Sequence, residues 1–242
     1  MYDNLLGEFM GTMVLLVFGC GVCANLTLNK SKGQGSGWVN IAIGWGFAVT
    51  MGVFTSNTLG APQADLNPAV TFGKMLAGIY TVNQFLVTSV IQILGGIVGA
   101  AIVWLCYYAH WEETPDPAAK LGIFATGPAI RKMGPAFLTE VIATFFLMFG
   151  IWMIFSWKYA NIPDGLGPYL VGVLIWALGL SLGGPTGYAM NPARDLGPRI
   201  AHAILPIPGK GSSDWGYAWV PIVAPIVGAG LAYAVACACG LF

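Results

Sequence analysis

Long runs of apolar residues dominate this chain, and short polar stretches separate them. A helix needs roughly 20 apolar residues to cross the hydrocarbon core of a bilayer, and six runs reach about that length. The pattern therefore predicts six membrane-spanning helices. They cover about Leu5–Leu28, Trp38–Leu59, Asn83–Tyr108, Gly134–Trp157, Pro168–Leu182 with its flanks, and Trp215–Leu241.

Two further helical segments are too short to cross a bilayer, and each lies in a polar break between long runs. Pro68–Gly78 follows the second run, and Pro192–Ala203 follows the fifth. We predict that both are re-entrant half-helices. Each begins in an Asn-Pro-Ala motif, and the residues of the two motifs are Asn67, Pro68, Ala69, Asn191, Pro192 and Ala193.

Asn-Pro has a specific meaning at the start of a helix. The asparagine side-chain oxygen caps the first turn, and proline at the first helical position has no N–H to leave unpaired. The asparagine amide nitrogen is then left free to donate to another group. Two such half-helices in a membrane protein present positive dipole ends and fixed donors. This combination predicts a pore for a polar, uncharged solute.

The two halves of the chain are similar to each other. Glu8 and Thr12 in the first run have counterparts in Glu140 and Thr144 in the fourth. Because each half has three spans, the second half must insert upside down, and such inverted repeats place their site near the midplane. We predict a single channel domain over residues 1–242, with repeat one at about 1–110, a linker at about 111–133 and repeat two at about 134–242.

Composition excludes several classes of protein. The chain is 57% hydrophobic and 8% charged, whereas about a quarter of the residues in soluble domains are charged. The net charge is zero and no basic run is present, so no nucleic-acid partner is expected. Cys20 and Cys23 have metal or redox spacing, but no second ligand pair lies near them in the sequence, which favours apolar packing. We expect neither a metal nor a cofactor.

The paired motifs, the two glutamate-bearing spans and the Asn-Pro-Ala-Arg-Asp of residues 191–195 resemble the major intrinsic protein (aquaporin) family, over essentially the whole chain. The aspartate after the arginine is similar to the aquaglyceroporin branch, the glycerol facilitators. The resemblance implies an aquaporin-like all-α membrane fold of six transmembrane helices and two re-entrant half-helices in an inverted repeat. It also implies a homotetramer in the lipid bilayer of the cell membrane, with one pore per subunit.

The resemblance further implies a constriction outside the Asn-Pro-Ala contact, formed by Trp45, Gly179, Tyr188 and Arg194. Gly179 would leave room that a histidine closes in a water-selective member. Trp45 and Tyr188 would offer an apolar corner to a carbon backbone, and Arg194 would donate to hydroxyl groups. Physical reasoning agrees, because a solute that loses its hydration needs donors on one side and an apolar wall on the other.

The intramembrane acids are open to two interpretations. Glu8 and Glu140 are either proton-relay groups of a carrier or acceptors for the N–H groups of the loop that enters each half-helix. Their matched positions favour the second interpretation. We interpret Asp195 as a residue that orients the second half-helix and does not contact the solute.

Two features depart from the family pattern. The stretch before the first motif is two residues longer than usual and places Asp65 where a histidine is typical. An acid there is consistent with a gate, a cation-attracting vestibule or a loop contact. The basic residues also concentrate in loops that the family topology places outside, so the positive-inside rule conflicts with cytoplasmic termini. We adopt the family topology.

These observations predict a passive channel, not an enzyme, for glycerol and other small uncharged solutes with some water, and one that excludes protons and ions. The nearest alternative is the same pore used mainly for another neutral solute, such as undissociated lactic acid, urea, dihydroxyacetone or water. A proton-coupled carrier is the alternative of a different class.

Overall fold

The computed structural model describes residues 4–156, 162–163 and 165–241. Trp157 and Lys158, at the predicted end of the fourth span and in the loop after it, lie outside the described residues. The described part of the chain is helical, with no β-strand. Its helices are α1 (Leu5–Thr27), α2 (Trp38–Thr58), α3 (Pro68–Leu76), α4 (Val82–Cys106), α5 (His110–Glu113), α6 (Pro117–Phe124), α7 (Met133–Ile154), α8 (Leu166–Leu182), α9 (Pro192–Ile204), α10 (Trp215–Ala218) and α11 (Val220–Ala238).

The long helices correspond to the predicted spans. Among the described residues, five segments are long and apolar enough to cross a membrane: α1, α2, α4, α7 and the segment formed by α10 and α11. The remaining span, α8, is an apolar helix of 17 residues. The last predicted span is divided at Trp219, because Pro221 has no N–H to donate to the carbonyl four residues before it.

The helices of the two repeats pack into one body. In the first repeat α1 packs on α2 and α4, and in the second α7 packs on α8 and α11. The half-helices cross over: α3 packs on α11, the last span of the other repeat, and α9 packs on α4. This exchange brings both half-helices to the centre of the bundle.

Glycines allow the closest of these helix contacts. A Cβ atom at Gly95 on α4 would lie 2.4 Å from the carbonyl oxygen of Phe9 on α1. The equivalent contact in the second repeat has the same distance: a Cβ atom at Gly228 on α11 would lie 2.4 Å from the carbonyl oxygen of Val141 on α7. Small residues let helix backbones approach each other within a bilayer. These glycines therefore set the two matching helix crossings.

The linker between the repeats folds into α5 and α6 and is tied to the loop before the last span. Asp116 caps α6 by accepting a hydrogen bond from the N–H of Ala118 at 2.9 Å. Farther along the linker, Nη2 of Arg131 lies 2.6 Å from Oδ1 of Asp214. The guanidinium group holds the pKa of the Asp214 carboxyl below its ordinary value, chiefly through this hydrogen bond.

Candidate functional site

Each half-helix begins at a capping asparagine. The side-chain oxygen of Asn67 accepts a hydrogen bond from the N–H of Ala69 at 2.8 Å. The oxygen of Asn191 accepts from the N–H groups of Ala193 at 2.9 Å and Arg194 at 3.2 Å. Proline occupies the first helical position in both. The local sequence therefore starts both half-helices in the way expected for Asn-Pro.

The same two asparagines hold the half-helices against each other. Nδ2 of Asn67 donates to the carbonyl oxygen of Met190 at 2.9 Å, and Nδ2 of Asn191 donates to the carbonyl oxygen of Leu66 at 2.8 Å. The N-termini of α3 and α9 therefore meet. As the sequence predicts, each amide nitrogen is free of the cap and donates to another group. One of its two N–H groups closes this contact, and its role toward a solute stays a prediction.

Glu8 holds the loop that enters the first half-helix. Its carboxylate accepts hydrogen bonds from the backbone N–H groups of Asp65 at 2.8 Å and Leu66 at 2.9 Å. The side-chain amide of Gln92 on α4 donates a third, at 2.8 Å. Glu8 is completely buried, so these contacts supply the partners that a buried carboxylate needs.

Glu140 does the same for the second half-helix. It accepts from the backbone N–H groups of Ala189 at 3.0 Å and Met190 at 2.8 Å, and from the hydroxyl group of Thr186 at 2.7 Å. Glu140 is also completely buried. Both glutamates thus make the contacts that the structural interpretation of their matched positions predicts.

The loops held by the glutamates have an unusual backbone at matching positions. Ala64 and Leu66 have φ values of 43° and 54°, and Tyr188 and Met190 have values of 38° and 49°. In each pair, the first residue lies three positions before the capping asparagine and the second lies one position before it. Such left-handed conformations cost of order 1–3 kcal/mol for a residue with a side chain. The glutamate hydrogen bonds offset this strain and keep the loop backbone along the cavity.

A cavity of about 90 Å³ lies where the half-helices meet. This volume is enough for several water-sized groups. Asn67, Asn191 and Arg194 contribute to its polar lining, and α2, α7 and α8 contribute apolar walls. The apolar side chains of these walls are Val49, Val53, Leu147, Ile151, Phe155, Val171 and Ile175.

Three of the predicted constriction residues separate this cavity from a second one of about 250 Å³. Trp45, Tyr188 and Arg194 line both cavities. The guanidinium carbon of Arg194 lies 3.8 Å from the centroid of the Trp45 ring, so cation and aromatic face are stacked. Nη1 of Arg194 is buried and finds no hydrogen-bond partner among the described residues. This leaves a donor available where the two cavities share their lining.

Gly179, the fourth predicted constriction residue, lies against the ring of Tyr188. A Cβ atom there would lie 2.8 Å from Cζ of Tyr188, so the tyrosine ring fills the volume beside the glycine. Gly179 is not among the residues that line either cavity. Its carbonyl oxygen accepts a hydrogen bond from Nε1 of Trp38 at 2.9 Å. The missing side chain at Gly179 therefore leaves volume that the Tyr188 ring occupies, and the role of Gly179 in the constriction stays a prediction.

Asp195 connects the second half-helix to the end of the linker. Its Oδ2 accepts hydrogen bonds from both the N–H and the hydroxyl group of Thr126 at 2.7 Å. Its Oδ1 accepts from Nε of Arg199 at 2.8 Å. Asp195 and Arg199 are both completely buried. These contacts fit the predicted orienting role.

Asp65 forms a buried ion pair with Lys74 on α3. Oδ1 of Asp65 lies 2.5 Å from Nζ of Lys74, and Lys74 also donates to the carbonyl oxygen of Gln63 at 2.9 Å. The Asp65 side chain is 0% exposed and that of Lys74 is 11% exposed. Because the ammonium group neutralises the carboxylate, the hypothesis of a cation-attracting vestibule loses its basis.

Several residues that support the site were missed by the sequence analysis. Most are polar or charged residues within membrane-embedded segments, where such residues are costly and therefore informative. That signal was available for Lys74, Gln92 and Arg199. The missed residues are Trp38, Lys74, Gln92, Thr126 and Arg199.

Comparisons with known proteins agree with this geometry. The family described as Major intrinsic protein matches residues 1–235. A relative named Glycerol uptake facilitator protein 3, from Lactiplantibacillus plantarum, is 56% identical over 94% of this chain and 93% of its own length. A second protein from that organism, named D/L-lactic acid transporter, is 41% identical over 96% of this chain and 95% of its own.

A solved structure shows the same fold. It is the X-ray structure of the aquaglyceroporin from Plasmodium falciparum, which is 30% identical to this chain. The superposition covers 98% of this chain and 96% of that one, with a TM-score of 0.86.

Proposed function

Because the chain belongs to the major intrinsic protein family, we propose that it is a passive channel for glycerol and other small uncharged solutes, with some water. The observation that carries this proposal is the contact between two half-helix N-termini beside a cavity lined by Asn67, Asn191 and Arg194. The names of two similar proteins, a glycerol uptake facilitator and an aquaglyceroporin, support glycerol as the solute.

The lining accounts for the selection of neutral polyols. A solute oxygen at the centre accepts from the remaining amide hydrogens of Asn67 and Asn191, and at the constriction it accepts from Arg194. The solute carbon atoms lie against Trp45 and Tyr188, which replace lost hydration with apolar contact. The two helix N-termini and the Arg194 charge oppose the passage of protons and other cations.

Undissociated lactic acid is the second candidate solute. The relative named D/L-lactic acid transporter supports it, since a neutral hydroxy acid has the same small size and mixed polarity. The proton-coupled carrier is disfavoured, because donors occupy both carboxylate oxygens of Glu8 and of Glu140.

We also propose that the channel is a homotetramer in the plasma membrane. The spans carry large apolar side chains on their outer faces, which lipid or neighbouring copies would cover. Examples on α4 and α7 are Leu86, Val90, Leu94, Leu138 and Phe146.

Stopped-flow light scattering of proteoliposomes tests the proposed function. We expect glycerol to enter quickly and without saturation, and sorbitol to enter slowly. Arg194→Trp fills the constriction and should lower glycerol permeability by at least about tenfold, equivalent to a barrier raised by roughly 1.4 kcal/mol. Leu138→Trp, which adds the same ring at a side chain 58% exposed on the outer face, is the matched control.

The same vesicles distinguish the alternatives. Lactic acid is offered near pH 4, where a carboxylic acid is partly protonated, and near pH 7. If only lactic acid near pH 4 entered rapidly, the protein would still be a channel, but its solute would be the undissociated acid and not glycerol. Glycerol entry that saturates and follows a proton gradient would contradict a passive channel.

A further inference from the structure

Lys74 is a charged residue of the cavity that the proposed function does not use. It lies near the end of α3, seven residues after Asn67, and lines the same cavity as Asn67, Asn191 and Arg194. A helix rises 1.5 Å per residue, so the backbone of Lys74 lies about 10 Å along the half-helix from its cap. Its side chain returns to the loop before the cap, where the ammonium group contacts Asp65 and the carbonyl oxygen of Gln63.

The inverted repeat places Lys74 on the opposite side of the asparagine contact from Arg194. Arg194 follows its capping asparagine by three residues in α9, and Lys74 follows its own by seven in α3. The two N-termini face each other, and their half-helices run in opposite directions away from the contact. Each half-helix therefore carries one cation beside the solute path, one on each side of the centre.

The surroundings of Lys74 hold its ammonium group and leave part of its donor capacity unused. An ammonium group has three N–H donors. Asp65 and the carbonyl oxygen of Gln63 accept two of them. The nearby walls from α2, α7 and α8 are apolar, so a solute moving from Asn67 toward this end has few side-chain donors. The third N–H of Lys74 supplies one.

We propose that Lys74 is a second solute-binding cation of this pore, the counterpart of Arg194 on the other side of the asparagine contact. It would donate to a hydroxyl oxygen of a polyol or to a carboxyl oxygen of a small hydroxy acid. Asp65 is a positioning residue that fixes the ammonium group and balances its charge, so the site binds a neutral solute without trapping an anion. This inference rests on the proposed channel function.

The test compares two variants that differ only at Lys74. Asp65→Asn is the background, because its amide oxygen and the carbonyl oxygen of Gln63 still accept from the Lys74 ammonium group; adding Lys74→Met then removes only the donor. Unpairing a buried carboxylate by Lys74→Met alone would destabilise the fold. Glycerol and water permeabilities are measured on the same proteoliposomes. We expect the glycerol-to-water ratio to fall about fivefold on adding Lys74→Met, the size expected for one lost hydrogen bond.

Two further variants separate solute binding from a structural role. Lys74→Gln in the same background restores a neutral donor and should recover more than half of the lost ratio. Lys74→Arg in the native chain keeps the ion pair with Asp65, and its larger head beside the cavity should lower the ratio even if the neutral double variant does not fold. Lys30→Met, at an ammonium whose side chain is 70% exposed, should leave the ratio unchanged.

The outcomes are distinct. A glycerol-permeable channel whose ratio stays within about twofold in Asp65→Asn/Lys74→Met and in Lys74→Arg would overturn the inference and leave the proposed function standing. A parallel fall of glycerol and water would likewise show that Lys74 is only a structural tether. No glycerol entry through the native chain would overturn both proposals.

Discussion

A single asparagine has three tasks at each Asn-Pro-Ala motif. Its oxygen caps a half-helix, one amide hydrogen binds the backbone of the opposite repeat, and the other hydrogen is left for the cavity. Because the first two contacts fix the side chain, we infer that the third donor is held in place before a solute arrives. A fixed donor costs little reorganisation when a solute replaces its hydration shell at the centre of the pore.

The Tyr188 ring lies directly against Gly179, which leads to a prediction at the residue scale. In Gly179→Ala the new methyl group would lie 2.8 Å from the ring, so Tyr188 must move, and we expect it to move toward the pore. Glycerol permeability should fall severalfold, and water permeability should fall less because water is smaller. Stopped-flow measurements on proteoliposomes check this. Gly134→Ala, where the methyl group meets nothing within 4 Å, is the control, and equal permeabilities in both variants would contradict the assignment.

The half-helices depend on their surroundings. α3 has 9 residues and α9 has 13, and isolated helices shorter than about 12–15 residues are marginal in water. Caps, the cross-contact between N-termini and packing on the last span of the opposite repeat stabilise them. A half-helix is therefore stable only as part of the assembled bundle.

The carboxylate behind each half-helix gives a prediction at the scale of the element. Glu140→Gln replaces one acceptor oxygen by an NH₂ group, which leaves a backbone N–H of Ala189 or Met190 without its acceptor. Loss of a partner for a buried group costs about 1–3 kcal/mol, so the thermal midpoint of the purified protein in detergent should fall by several degrees. Glycerol permeability should fall as the left-handed loop relaxes.

The exposed glutamate Glu112 on α5 provides the comparison for Glu140. Glu112→Gln removes the same charge from a residue that the fold does not bury. Its thermal midpoint should match that of the native chain. If Glu140→Gln were equally stable, the loop would not depend on the carboxylate.

At the scale of the whole molecule, the close helix contacts at Gly95 and Gly228 hold the bundle together. We expect a single added side chain at either glycine to disrupt its helix crossing. Gly228→Leu places a side chain 2.4 Å from the backbone oxygen of Val141, a carbonyl that cannot move without shifting α7. Overpacking typically costs about 1–3 kcal/mol, and more where the backbone must shift. We expect little monodisperse protein by size-exclusion chromatography. Gly21→Leu on α1, whose Cβ meets nothing within 4 Å, should elute like the native chain.

Four basic residues of the loops and the linker have local partners in the fold. The ammonium group of Lys210 donates to the carbonyl oxygens of Ala203 and Leu205 at 2.6 and 2.7 Å, at the end of α9. The ammonium group of Lys120 donates to the carbonyl oxygen of Pro208. Lys30 and Arg131 are in ion pairs with acidic side chains. These contacts give the four residues a structural role that does not depend on the orientation of the chain in the membrane.

The sequence by itself determined the parts of this protein that depend on local chemistry. Apolar run length predicted the spans, Asn-Pro predicted where α3 and α9 begin, and matched residues such as Glu8 and Glu140 predicted the inverted repeat. The family and the candidate channel function followed from the same motifs. Each of these properties is encoded within a few neighbouring residues or by a repeat of them.

Only the tertiary structure decided which residues far apart in the sequence contact each other. The carbonyl oxygens that take one hydrogen of each capping asparagine, and the Gln92 amide that binds Glu8, are set by helix crossings. Those crossings bring together residues more than a hundred positions apart, such as Asn67 and Met190. Sequence spacing carries no record of that proximity, because it arises only when two repeats of opposite orientation pack into one bundle.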